Sequence, residues 1–389
     1  MSIEQTSLPR KISPQWSGSL YYLVTFLCSG AYMPFLYVYF SDMGLSGQQV
    51  GWISSLSPIM TMLLATVIAS FADRKRWRIP IIQVALLITA VLFFLLRFPT
   101  TFINIAFLMF FFAVFSSPIQ SIAEGLIARM AQRNKLNYGS MRLWGSLGYA
   151  VSSLGFGAIW QILGLRAMFL AGGLLYLPLI YLAGQLEEGP VIPKQEHKPA
   201  LHLLRDRGLL LILGATFLAA IANSLTMTFS GIYVRSLGGG DFLVGAMIAF
   251  GALAELPVMF FSNRISQRIK KINTVLLAYG CMSVAFLGYI LARNPLLLPV
   301  LTILKGCGYG LWITVTIRLV VERTPEEWAS TAQSLLTICL FGLAPLVAGP
   351  VGGWIHDLVS PGAVFGLGIL SLALAGVVIF LASKIGKID

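Results

Sequence analysis

The chain has 389 residues, 57% of them hydrophobic and only 11% charged, with 27 Lys and Arg against 15 Asp and Glu and a formal net charge of +12. A soluble domain carries about 25% charged residues, so a water-soluble fold is excluded. Apolar runs of roughly 20 residues recur along the chain, the length that a helix needs to cross a bilayer.

Arg10 and Lys11 precede an apolar run over 16–40. That run is too long for a signal-peptide core and lacks a small-residue cleavage pattern, so it reads as the first membrane helix. Runs over 47–71, 78–97, 102–128, 138–162 and 166–186 follow. A polar stretch with Glu187, Glu188, Pro190, Pro193 and Pro199 then reads as a cytoplasmic linker. Beyond it lie runs over 209–234, 242–262, 272–292, 295–321, 329–355 and 361–383. The expectation is an all-α membrane protein of twelve transmembrane helices in two six-helix, pseudo-symmetric halves: 1–186, a linker over 187–208, and 209–389.

The basic residues set the orientation. Twenty of the 27 fall in the termini and the connections on one face, including Arg74, Lys75, Arg76, Arg129, Lys194, Lys198, Arg205, Arg268, Lys271 and Lys387. Four (Arg97, Arg166, Arg235, Arg293) fall on the other. The positive-inside rule makes the first face cytoplasmic, with both termini inside. The charge excess is thus a topology signal, and nucleic acid is not an expected partner.

The halves repeat at an offset of 194 residues: Tyr39 matches Tyr233, Gly44 matches Gly238, Val50-Gly51 matches Val244-Gly245, and Arg74 matches Arg268. Transporters are often built from such repeats, with the substrate near the midplane between them. Cys28, Cys281, Cys307 and Cys339 lie in apolar runs without metal spacing. His197 and His202 fall in the linker and His356 near an outer helix end. No metal or cofactor is expected, and no intramembrane cluster suggests an enzyme.

Ionisable residues inside apolar helices are costly and are read first as functional. Glu124 lies about as far before a short basic turn as Arg142 lies after it, which puts both at similar depth on neighbouring antiparallel helices. Glu255 and Lys305 are each about 15–20 Å deep at ~1.5 Å per residue, a candidate coupling pair or a structural ion pair. Arg318 stands at the repeat offset from Glu124, near the cytoplasmic end of its helix, where snorkelling is an equal alternative. The intramembrane charges sum to +1, which favours an anionic solute such as a carboxylate. Tyr138, Trp144 and Tyr149, with Tyr32, Tyr37 and Tyr39 in the first helix, offer rings for stacking or for packing.

Two stretches carry a family resemblance. The loop Ala69-Ser-Phe-Ala-Asp73-Arg74-Lys75-Arg76 resembles the G-x-x-x-D-R-x-G-R loop of the major facilitator superfamily, with Ala69 and Arg76 in place of its glycines. Its second-half counterpart keeps Arg268 but has Gln267 where Asp73 stands. An Asp at a helix end beside basic residues can pin adjacent helices in one state and release them in another, so Asp73, Arg74 and Arg268 are a candidate gating loop, with a positive-inside anchor as the alternative. The stretch from Glu124 to Tyr149, with Tyr138-Gly139-Ser-Met-Arg142-Leu-Trp144-Gly145-Ser, resembles the lactose-permease-like branch and its phenylpropionate permeases. By that resemblance Glu124 and Arg142 contact substrate and Tyr149 stacks on it, while Trp144 is a further candidate contact only by its place beside the motif. The helix-10 His and Glu that couple protons in the lactose permease are replaced by Gly308 and Leu311, so proton coupling would fall to Glu124 or Glu255.

The expected function is a monomeric secondary transporter in a bacterial inner membrane, importing a small organic solute with protons by alternating access. The solute is an anionic or aromatic carboxylate on this reading. A sugar or nucleoside symporter, an antiport exporter of amphipathic compounds and a non-transporting receptor are the alternatives.

Overall fold

A computed structural model describes residues 12–188, 203 and 206–385. Most of the expected linker, with His197, His202, Lys194, Lys198 and Arg205, lies outside the described residues, as do Arg10, Lys11 and Lys387.

Among the described residues twelve helices are long and apolar enough to cross a membrane. They are α1 (Pro14–Asp42), α2 (Gly47–Lys75), α3 (Arg78–Leu95), α4 (Phe102–Arg133), α5 (Tyr138–Leu163), α6 (Leu165–Gly184), α7 (Arg207–Ser236), α8 (Asp241–Ile269), α9 (Lys271–Leu291), α10 (Leu297–Arg323), α11 (Thr331–Leu358) and α12 (Ala363–Lys384). The expected centres hold. Several ends differ: α4 runs on to Arg133 and α8 to Ile269, beyond the expected 128 and 262. Hydropathy marks where the bilayer ends, whereas these helices continue into water as charged turns.

Local chemistry starts the helices where they start. Ser46 Oγ accepts from Gln49 N at 3.2 Å while Gln49 Oε1 accepts from Ser46 N at 3.0 Å, a reciprocal cap at the head of α2. Asn137 Oδ1 caps α5 through the Ser140 amide. Asp206 Oδ1 caps α7 through the amides of Gly208 and Leu209. The repeat is visible in the backbone: Gly44 and Gly238 take φ of +90° and +80°, and Arg76 and Lys270 take +56° and +69°, each pair separated by the repeat offset. Arg76 occupies the place of a glycine in the superfamily loop, and its left-handed conformation gives the physical reason for glycine there.

The halves meet along three helix pairs: α2 with α11, α5 with α8, and α1 with α7. The repeat-related glycines make the closest approaches. A Cβ on Gly51 would lie 2.1 Å from the Gly349 carbonyl oxygen, and one on Gly245 would lie 2.1 Å from that of Ser153. Both glycines lie near the start of their helices, on the face opposite the basic loops. Polar links across the halves gather on that face. Asp357 of α11 accepts from Gly47 N at 2.7 Å and from Gln48 N at 2.9 Å, capping α2 from the other half. Gln161 of α5 accepts from Phe242 N of α8 at 3.3 Å. Arg235 of α7 pairs with Asp42 of α1 at 3.0 Å and with Asp241 at 2.7 Å.

Toward the basic face the seam parts. The last third of α2 (66–75) packs on α3 and α4, and the first third of α11 packs on α7 and α10, each within its own half. Both helices carry a π turn where they diverge, Thr61–Ala65 in α2 and Cys339–Leu343 in α11. The cavity between the halves is therefore closed on the opposite face and open toward the basic one.

Candidate functional site

Arg142 of α5 donates from Nη1 to Glu124 Oε1 of α4 at 3.0 Å. Their side chains are 44% and 37% exposed although both belong to apolar helices, so the pair fronts the open cavity. Arg142 also stands over two rings of α1, 5.3 Å from the centroid of Tyr22 and 5.5 Å from that of Phe26. Cation–π contact of this kind holds a guanidinium without consuming its donors. The close approach of α1 is permitted by glycine, since a Cβ on Gly145 would lie 2.8 Å from Phe26. The Tyr22 hydroxyl pairs with that of Tyr138 at 2.8 Å.

Tyr149, two turns beyond Arg142 on the same face of α5, packs edge-on against Phe26 with centroids 6.3 Å apart. It also lies within electrostatic reach of Glu255 on α8, across the seam. Glu255 interacts in turn with Lys305 and Tyr309 of α10. Lys305 is buried at 4% exposure, and its ammonium lies 5.1 Å from the Tyr309 ring centroid rather than in a direct ion pair with Glu255. The glycines of α10 bring these groups together: a Cβ on Gly306 would meet the Gly251 carbonyl at 2.4 Å, and one on Gly310 the Glu255 carbonyl at 3.0 Å. Small residues four apart let membrane helices approach this closely.

The structure thus links Glu124 and Arg142 of the first half to Glu255 and Lys305 of the second through Phe26 and Tyr149. The others sit elsewhere. Trp144 stands about 200° around α5 from Arg142 at 100° per residue, and it meets Trp16 with centroids 6.0 Å apart. Arg318 donates to Asn263 Oδ1 at 2.8 Å, within the second half and toward the basic face. Asp73 accepts from Arg78 Nε and lies 3.7 Å from Arg129 Nη2, so its contacts hold the first half together. Arg74 and Arg268 are exposed. Tyr32 is packed among Phe93, Phe112 and Tyr176, and Tyr39 against Phe169.

Sequence reasoning passed over three residues. Tyr22 and Phe26 stand four apart on α1, a spacing that marks one face. Gln120 stands four before Glu124 and donates to it at 2.7 Å.

The profile of the MFS_1 like family matches residues 15–367. The chain belongs to this family of the major facilitator superfamily. Its sequence is 29% identical to the maltose permease of Geobacillus stearothermophilus over 89% of each chain. It is 22% identical to a probable 3-phenylpropionic acid transporter of Escherichia coli, over 92% of this chain and 96% of that one. The crystal structure of the nucleoside transporter NupG superposes with a TM-score of 0.79 at 14% identity, covering 97% of this chain and 100% of that one. This family member is a multi-pass membrane transporter that moves a small molecule, and it is not an enzyme.

Proposed function

We propose that the protein imports a neutral, hydroxyl-bearing ring compound of the sugar or nucleoside class by proton symport, across a bacterial inner membrane with the basic face cytoplasmic. The observation that carries this reading is the neutralised Glu124–Arg142 pair, set among Tyr22, Phe26 and Tyr149 at the cavity wall. The charge count favours a carboxylate only if the cations are unmatched. Arg142 has Glu124 and Lys305 has Glu255, which leaves the surplus on Arg318, away from the aromatic wall. A paired carboxylate and guanidinium offer an acceptor and several donors to a diol, and flanking rings cover its apolar face. The maltose permease likeness supports the same class.

Glu124 is engaged by both Arg142 and Gln120, so Glu255 is the proposed proton carrier. Neutralising Glu255 would leave the buried Lys305 charge without its counter-ion, and such a state is costly enough to favour a different packing of α8 on α10. The seam is closed on the face opposite the basic loops, so with the basic face cytoplasmic the described state is the one that releases solute to the cytoplasm.

The second reading is an aromatic carboxylate, which the 3-phenylpropionic acid transporter likeness favours. Thermal shift of the purified protein with maltose, uridine and 3-phenylpropionate separates the two. Maltose or uridine is expected to stabilise the protein and to accumulate in vesicles under an inward proton gradient. Stabilisation by 3-phenylpropionate alone would reverse the class, and efflux under that gradient would overturn symport. Arg142→Ala is expected to abolish the shift while the protein still inserts. Lys305→Ala should lower thermal stability more than the double variant with Glu255→Ala, because the single change leaves a buried carboxylate without its cation, typically a matter of about 3–5 kcal/mol.

A further inference from the structure

Glu124 Oε1 accepts two donors, Arg142 Nη1 at 3.0 Å and Gln120 Nε2 at 2.7 Å. Among the described residues Oε2 takes no hydrogen bond. The two donors differ in kind. Arg142 reaches in from α5, is 44% exposed, and is also held by two rings through its face. Gln120 is on α4 itself, one helical turn before Glu124, where side chains four apart stand one above the other. Its bond therefore does not depend on how α5 sits against α4.

We propose that Gln120 is a positioning residue for solute recognition. It fixes Glu124 by its own helix, so that Oε2 stays presented to the cavity when Arg142 turns a donor from Glu124 to the solute. This rests on the reading of Glu124 and Arg142 as solute contacts. Without Gln120, a carboxylate this exposed has a second rotamer free in water once Arg142 lets go, and the ordering cost falls on binding. An amide suits the task better than a second cation would. It donates to the carboxylate without competing for Arg142's counter-charge, and it keeps a carbonyl free to accept from a hydroxyl.

The test has a ligand-free part and a transport part. Glu124 is labelled with a water-soluble carbodiimide and an amine, and the rate is followed by peptide mass spectrometry in wild type, Gln120→Leu and Gln120→Met. Ser121→Ala is the control, since its hydroxyl bonds back to the Pro118 carbonyl. Labelling of Glu124 is expected to rise about tenfold in both Gln120 variants, the scale of one hydrogen bond to a charged group, and to stay unchanged in the control. An unchanged rate in both would overturn the proposal. In uptake of maltose or uridine, the same variants should raise KM about tenfold with maximal rate retained. Gln120→Glu should recover a low KM only as pH falls toward the ordinary carboxylate range, where the new side chain can donate. A fall in maximal rate with KM unchanged, or a pH-independent defect in Gln120→Glu, would also overturn it. If wild type takes up neither probe, the recognition reading of Glu124 and Arg142 fails, and the labelling rates alone decide whether Gln120 holds Glu124.

Discussion

The two ends of the seam between the halves are built on opposite plans. On the face opposite the basic loops, the outer one in the proposed orientation, backbone meets backbone at Gly51 and Gly245, and the polar groups there reach across: Asp357 to the head of α2, Gln161 to the head of α8, Arg235 to Asp42. On the basic face the described ion pairs bind each half to itself, Asp73 to Arg78 and Arg129 in the first, Asp206 to Arg323 and Lys271 to Glu322 in the second. The difference teaches which contacts must be traded during transport. Opening the outer face exposes two helix heads whose amides lose their acceptors. Opening the basic face costs no such cap. The energetic latch of the described state is therefore on the outer side.

The hardest blow to that contrast is steric. Gly51→Leu or Gly245→Leu places a side chain where a carbonyl oxygen lies about 2 Å from the Cβ position. Overpacking of this kind typically costs about 1–3 kcal/mol, enough to shift the population by about fivefold to a hundredfold toward an outward-open state. Distances between spin labels on the outer ends of α2 and α11 should lengthen, with transport lost. Retained short distances would mean that the seam yields elsewhere.

Removing the caps is the gentler break. Asp357→Ala removes the acceptor for two amides and a neighbour of His356 at 3.0 Å. Loss of a side-chain cap costs about 0.5–2 kcal/mol, so a fewfold shift in the same label distances is expected. Gln161→Ala removes one neutral bond at 3.3 Å and should shift them less. A larger effect at Gln161 than at Asp357 would refute the ranking of the two caps.

The smallest effect lies at the basic end. Burial opposes ionisation of Asp206, but the Arg323 guanidinium and the amides of Leu209 and Gly208 outweigh it and hold the carboxyl below its usual value. A depressed folded value means that the contribution is complete above the unfolded carboxylate range near ~4 and is lost as pH falls through the folded value. Acidification should loosen the start of α7 in hydrogen exchange while leaving outer-face label distances unchanged. In Asp206→Asn that pH response should vanish.

Much of this architecture was legible in the sequence because a bilayer imposes it. Twelve apolar runs, a basic face and an offset that reappears in paired turns at Gly44 and Gly238 all follow from few rules. The partnership of Glu124 and Arg142 was legible too, since equal distances from a turn mean equal depth on antiparallel helices. Glu255 and Lys305 were placed near each other by the same depth argument, though Tyr309 and not Glu255 receives the ammonium. Trp144 was grouped with Arg142 by adjacency in sequence, which on a helix means the opposite side. Tyr22, Phe26 and Gln120 carry no charge, so no desolvation cost drew attention to them. The surplus positive charge falls on Arg318, whose partner is the neutral Asn263 and which stands apart from the aromatic wall.

The π turns in α2 and α11 change how those two helices should be read. A π turn takes in one residue more than the regular spiral, so every side chain beyond it is set back by about 100° from the regular count. The stripe that faces the partner half before Thr61 is therefore not continued by counting in threes and fours past Ala65. In α2 and α11, the helices that must both seal and part, one inserted residue resets the phase of the face midway through the membrane. Each helix can then offer one surface to the outer seal and an independently chosen surface to the inner one.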